Sequence, residues 1–169
     1  MRKKKITDLS SQMVSLQNIL DNKTARGAFG EIQLENIIKN MIPDKNYKMQ
    51  HTLGNNHRVD CILFLPQPTN NLCIDAKFPL ENYKRIQSEQ EPELKNKLYK
   101  AFKADLKKHI LDISSKYIVP GETANGAILF LPAEQIFSEI HCNMFDIIEL
   151  AQRNKVWLCS PTTMMAVIT

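Results

Sequence analysis

Two apolar runs constrain this chain most: RVDCILFLP at 58–66 and NLCIDAK at 71–77, joined by the loop-forming PQPTNN. Both are rich in strand-favouring residues, and the short polar connection favours an antiparallel pair. Each run also holds an acid where an apolar residue is expected, Asp60 in the first and Asp75 in the second. In an extended chain residues i and i+2 share a face, so Asp75 and Lys77 project together. Pairing across PQPTNN brings Asp60 beside Asp75. A third acid, Glu31, lies three residues before Leu34 and seven before Ile38. That spacing points it along the buried side of a helix, near the helix N-terminus. A carboxylate is tolerated there when a cation or the helix end itself receives the charge.

Crowded carboxylates repel one another unless a cation joins them. Hard oxygen ligands suit Mg²⁺ or Mn²⁺, which keep several waters and accept phosphate oxygens in their remaining positions. The expected metal ligands are therefore Asp60, Asp75 and Glu31. Lys77 is expected to hold or deprotonate the attacking water, or to neutralise the charge building on a phosphate. The expected catalytic set is Glu31, Asp60, Asp75 and Lys77. The plainer alternative is an Asp75–Lys77 ion pair on an edge strand, worth about 0–1 kcal/mol.

The chain has 169 residues, 43% hydrophobic and 24% charged, which suits one ordered domain with its own core. A net charge of +4 permits a polyanionic partner without requiring one. Cys61, Cys73, Cys142 and Cys159 form no CxxC and sit among apolar residues, which predicts buried reduced thiols and a cytoplasmic setting. His51 and His57 are close, but no second pair completes a zinc site. MRKKKITDLSSQ has basic residues with no apolar stretch behind them, so it reads as neither signal peptide nor membrane anchor.

Along the chain, 9–23 reads as a short amphipathic helix through Met13, Leu16 and Leu20. It either caps the domain or forms the last turns of a coiled coil that pairs chains into an oligomer. Gly27 and Gly30 are expected to bracket a tight approach to the next helix, whose stripe is Leu34, Ile37, Ile38 and Met41 and whose stop is Pro43. YKMQHT is a strand ending at the turn LGNN. Leu80 to Arg85 starts a helix, QSEQEPE breaks it, and a long helix spans about 93–117 with a core stripe of Leu94, Leu98, Phe102, Leu106, Ile110, Ile113 and Tyr117. NGAILFLP is a strand opened by Gly126, followed by a helix breaking near Asn143 and ending at Asn154. KVWLCSP is a second buried strand. Ser160 and Pro161 then cap a helix in which the chain stops, which suggests a fragment.

The long helix carries Lys100, Lys103 and Lys107 at i, i+3 and i+7. They form a solvated face or a phosphate-tracking stripe that Lys84 and Arg85 would extend, with Arg58 a further phosphate contact beside the motif acids.

Asp60, fourteen intervening residues and then Asp75-Ala76-Lys77 is similar to the metal-site pattern of the PD-(D/E)XK nucleases, with Glu31 in the place of their additional helix acid. The linked blocks GAFGEIQLENII, HRVDCILFLP, LCIDAKFPLENY, NGAILFLPAEQIF and VWLCSPTTMMAV resemble the RmuC family of bacterial DNA recombination proteins over about residues 24–169. Val59 stands where the motif usually has proline. The resemblance implies an α/β fold of restriction-endonuclease type, a mixed sheet flanked by helices. It implies an N-terminal helix at 1–23 and a nuclease-like domain at 24–169 truncated at its C-terminal end. The implied function is Mg²⁺- or Mn²⁺-dependent cleavage of DNA in recombination or repair. The alternative is a DNA-binding module or scaffold that keeps the fold without catalysis. DNA is the expected partner, with no small-molecule cofactor and no membrane contact.

Overall fold

The computed structural model describes residues 23–77 and 80–168. The amphipathic helix expected over 9–23, and the oligomer expected through it, lie almost wholly outside them.

Helix α1 (Lys23–Met41) and a 3₁₀ turn (Asp44–Asn46) lead into strands β1 (Tyr47–Thr52), β2 (Arg58–Leu63) and β3 (Asn71–Ala76). Helices α2 (Leu80–Ser88) and α3 (Pro92–Tyr117) follow. Then come β4 (Thr123–Phe130), α4 (Glu134–Asn143), α5 (Phe145–Arg153), β5 (Val156–Cys159) and α6 (Pro161–Ile168). The strands lie in chain order, β1-β2-β3-β4-β5. β1–β2 and β2–β3 are antiparallel, and β3–β4 and β4–β5 are parallel. The switch follows from the connections. LGNN and PQPTNN are too short for a crossover, whereas α2–α3 and α4–α5 are long enough to return each strand in the same direction.

The sheet is buried on both faces, which explains why β2, β3 and β4 read as near-continuous apolar runs. On one face, Leu34 and Ile38 of α1 and Met164 of α6 pack on Cys61, Leu63, Leu72, Ile74, Ile128, Phe130 and Cys159. On the other, α2 to α5 place Tyr83, Phe102, Leu106, Ile110, Ile113, Ile140 and Ile147 against Val59, Ile62, Cys73, Ala127, Leu129 and Val156. Each such aliphatic or aromatic side chain contributes about 1.5–3 kcal/mol of transfer free energy. Ser160 caps α6 as expected: its Oγ accepts the Thr163 N–H at 3.3 Å, while Thr163 Oγ1 accepts the Ser160 N–H at 2.6 Å.

Several sequence expectations need correction. Gly27 and Gly30 do not precede the first helix, because α1 begins at Lys23 and runs through both. At Gly30 the helix comes close to the sheet, and a β-carbon there would meet Pro132 Cγ at 3.4 Å and Ala76 Cβ at 3.9 Å. Leu94 is exposed, not core. A 26-residue helix is about 39 Å long, while the eight-residue β4 spans about 26 Å, so α3 is longer than the strand it packs on, and its buried residues begin at Phe102. Gly126 lies inside β4, not before it, and the position requires glycine because the Trp157 ring occupies the space a side chain would need. β5 is only partly buried, with Trp157 exposed. Of the four thiols, Cys61, Cys73 and Cys159 are buried, but Cys142 is exposed in the last turn of α4.

Candidate active site

The two acids of the β2–β3 pair meet where the ladder ends. Cys61 opposes Ile74, Ile62 opposes Cys73 and Leu63 opposes Leu72, so the same register carried one step further sets Asp60 opposite Asp75. At that step a side chain takes over from the backbone: Asp60 Oδ2 accepts the Ala76 N–H at 2.8 Å. Asp75 is 4% exposed, fixed on its other side by pairing with Leu129 of β4. The Lys77 N–H donates to the Phe130 carbonyl at 3.0 Å, and the Lys77 ammonium reaches Asp75 Oδ2 at 3.4 Å. The lysine is partly exposed and its partner acid is not, so Lys77 forms the outer wall of the site.

Burial pushes the Asp75 carboxyl up to about 7, the negative charge of Asp60 pushes in the same direction, and Lys77 opposes both. Two carboxylates with one partly exposed ammonium between them and solvent leave negative charge uncompensated.

Glu31 joins from α1. Gln50 of β1 supplies the link: its Nε2 donates to Glu31 Oε2 at 3.4 Å and to Asp60 Oδ1 at 3.5 Å. The Glu31 carboxyl is raised above its ordinary range by burial and by Asp60, while Lys77 and Arg58 pull it down. Contrary to the sequence expectation, Glu31 is not near a helix N-terminus. It is in the third turn of α1, so the site's own cations, not the helix end, offset its charge.

Two participants went unread in the sequence. Gln50 sits mid-strand with φ of 51°, a left-handed backbone rare for a residue with a side chain. The signal was present: closing β1 and β2 through LGNN, with Met49 opposite Cys61 and His51 opposite Val59, leaves Gln50 opposite Asp60. Tyr117, read as core, ends α3 with its hydroxyl donating to the Arg58 carbonyl at 3.0 Å. Burial and the charges of Asp75 and Asp60 push that phenol up to about 12. His109 on the same helix is lowered by burial and by Lys77.

The basic residues divide. Arg58 is exposed beside the acids. Lys100 is exposed on α3, but Lys103 and Lys107 share Asp146 of α5, at 2.6 and 3.7 Å.

Among the described residues no three His, Cys, Asp or Glu side chains form a ready-made metal cage. Mg²⁺ is commonly bound by one or two carboxylates, with waters and phosphate oxygens completing its shell. Two adjacent acids carrying uncompensated charge at a partly open site fit that habit. Asp60 and Asp75 would hold such an ion, with Glu31 near enough to adjust it.

The RmuC family profile matches residues 2–169. A "DNA recombination protein RmuC homolog" of Chlamydia muridarum is 33% identical over 165 residues, covering 95% of this chain and 37% of its own length. One from Xylella fastidiosa strain Temecula1 is 28% identical over 172 residues, with the same coverage. The "DNA recombination protein RmuC" of Escherichia coli K12 is 27% identical over 171 residues, covering 95% and 36%. The chain thus spans little more than a third of the curated relatives it matches. No solved structure matches it. Among the described residues no helix is long and apolar enough to cross a membrane.

Proposed function

The chain belongs to the RmuC family, and we propose on that premise that it serves DNA recombination as a PD-(D/E)XK-type domain hydrolysing phosphodiester bonds with Mg²⁺ or Mn²⁺. One observation carries the reading. Asp60 is tied to the Ala76 N–H at 2.8 Å, beside a buried Asp75 whose Lys77 partner lies 3.4 Å away. An acid on each of two neighbouring strands, with a lysine two residues beyond the second, is the arrangement that the motif's chemistry uses.

When bound, the divalent ion supplies positive charge to the phosphate and acidifies a water. Asp75 must be ionised to hold it, so a proton leaves that carboxyl on loading. Asp60 is prevented from swinging away by its backbone bond. Lys77, reachable from solvent, orients the attacking water or neutralises phosphate oxygens as charge builds there. Glu31 adds negative charge through its position next to Asp60 and Gln50. Arg58 is exposed at the same edge and suits a phosphate of the bound strand.

Nicking of plasmid or branched DNA in Mg²⁺ or Mn²⁺ tests this. Cleavage should fall at least a hundred-fold in Asp75→Ala, the order of loss seen when a main electrostatic contributor is removed. Cleavage unchanged by that substitution rules the mechanism out.

A second reading, a DNA-binding module without cleavage, is favoured by α3, where Lys95, Lys97, Lys100, Lys107 and Lys108 are all exposed. It predicts binding that weakens steeply with salt. Lys100→Glu should reduce affinity, while Asp60→Ala leaves it unchanged.

A further inference from the structure

Two strands across the sheet from Asp75, Trp157 lies on the edge strand β5 and is 53% exposed. Its ring is seated on Gly126 of β4: a β-carbon there would come within 2.8 Å of Trp157 Cη2 and 3.0 Å of Cζ3. The indole thus touches the neighbouring strand and is about half open to solvent. A groove of about 440 Å³ adjoins it, lined also by Pro68, Thr69, Asn125, Gln152 and Lys155. Asn125, Gln152 and Lys155 are exposed, and Lys155 occupies the left-handed backbone region with φ of 59°.

We propose that this groove binds a base of single-stranded nucleic acid, stacked on Trp157, with Asn125 and Gln152 at the base edge and Lys155 at a phosphate. A core tryptophan would be covered. Here one aromatic ring is flanked by the apolar Pro68 and Ala124 and by two amides, a hydroxyl and an ammonium, which together match the apolar faces, polar edges and backbone charge of a nucleotide. The groove's volume suits a ligand of that size. The site is separate from the acidic centre. Trp157 is two strands from Asp75, about 10 Å across the sheet, and its partner Ile128 packs on the α1 face of the sheet, whereas Leu129, the partner of Asp75, packs on the opposite face. The stacking itself does not depend on the proposed cleavage.

Trp157 is the only tryptophan in the chain, so its fluorescence reports on the site directly. The 169-residue chain in EDTA is titrated with a twelve-nucleotide oligothymidylate, with oligouridylate of equal length, and with an abasic oligomer that has the phosphates alone. Saturable quenching by the first two and little by the third is expected. Equal affinity for both makes the ligand single-stranded nucleic acid of either sugar, and preference for oligothymidylate makes it DNA. Labelled-oligomer anisotropy should show Trp157→Ala weakening binding about 5- to 160-fold, the cost of one lost stacked base. Lys155→Gln should weaken it less and reduce its salt dependence. Asp75→Asn should leave quenching unchanged, which separates this site from the cleavage reading. Equal quenching by the abasic oligomer, or affinity unaltered in a folded Trp157→Ala protein, overturns the proposal.

Discussion

The Asp60 carboxylate accepts the Ala76 N–H at 2.8 Å, so one side chain both ends the β2–β3 ladder and fixes an acid next to Asp75. The two roles separate by substitution. Asp60→Asn keeps an acceptor oxygen for the amide, while Asp60→Ala leaves that N–H without its partner. Losing the acceptor of a partly buried donor costs about 1–3 kcal/mol. Urea unfolding should therefore show Asp60→Ala destabilised by that amount and Asp60→Asn much less, with DNA cleavage lost in both. Equal stabilities would mean that the bond does not matter to the fold.

Asp75 makes stability depend on pH in the direction opposite to most carboxylates. Its folded pKa is raised to about 7 from an ordinary 3.8, first by burial and then by Asp60. Between those values the folded chain binds more protons than the unfolded chain, so stability falls as pH rises through the window. The loss is complete above the folded value. Below pH 4 the group contributes nothing to the difference. In EDTA at pH 8, Asp75→Asn should unfold several degrees above the unsubstituted chain, corresponding to about 1–3 kcal/mol, and at pH 4 the gap should close. Millimolar Mg²⁺ at pH 8 should raise the melting temperature of the unsubstituted chain and not that of Asp75→Asn. A constant difference across pH would show that Asp75 ionises normally.

The Gln50 amide stands between Glu31 and Asp60, at 3.4 and 3.5 Å. Gln50→Glu replaces those donors with a third negative charge. In EDTA at pH 8 the variant should be less stable by about 1 kcal/mol, since like charges at a partly buried site repel. Mn²⁺ should then stabilise it more than it stabilises the parent, because the cation has more charge to offset. Thermal melts with and without Mn²⁺ measure both effects. A variant as stable as the parent in EDTA would mean that the amide bridges nothing of consequence.

The sheet and both acid strands were legible because period-2 patterning, short polar loops and long apolar runs all act locally. The same local logic set Asp60 opposite Asp75. What escaped it was decided by tertiary contact. Leu94 continues a correct helical stripe, yet it stays exposed in the first turn of α3, whose buried residues begin only at Phe102. Gly126 looks like a strand opener in sequence, and only the ring of Trp157, thirty-one residues later, shows why the position within β4 requires glycine. Gln50 reads as an ordinary polar strand residue. Its importance needs the β1–β2 register and the position of α1 together. Lys103 and Lys107 form a basic stripe along the chain, but Asp146 on a different helix partly neutralises them.

Gly30 tests how closely α1 must approach the sheet to place Glu31. A methyl group there would sit at ordinary contact distance, 3.4 Å from Pro132 Cγ and 3.9 Å from Ala76 Cβ, and no larger side chain has room along that line. Replacing a helix-interior glycine with alanine gains about 1 kcal/mol in helix propensity, and slight crowding against Pro132 should take back part of it. Gly30→Ala should therefore be stabilised by about 0.5 kcal/mol and cleave DNA at the parent rate. Gly30→Leu should lose about 1–3 kcal/mol as α1 is forced outward. Because Glu31 is the next residue, its bond with Gln50 should be lost with it, and cleavage should fall more than stability alone explains. Denaturant midpoints together with initial cleavage rates decide the matter. If Gly30→Leu cleaves normally while destabilised, Glu31 contributes nothing to the reaction, and the site reduces to Asp60, Asp75 and Lys77.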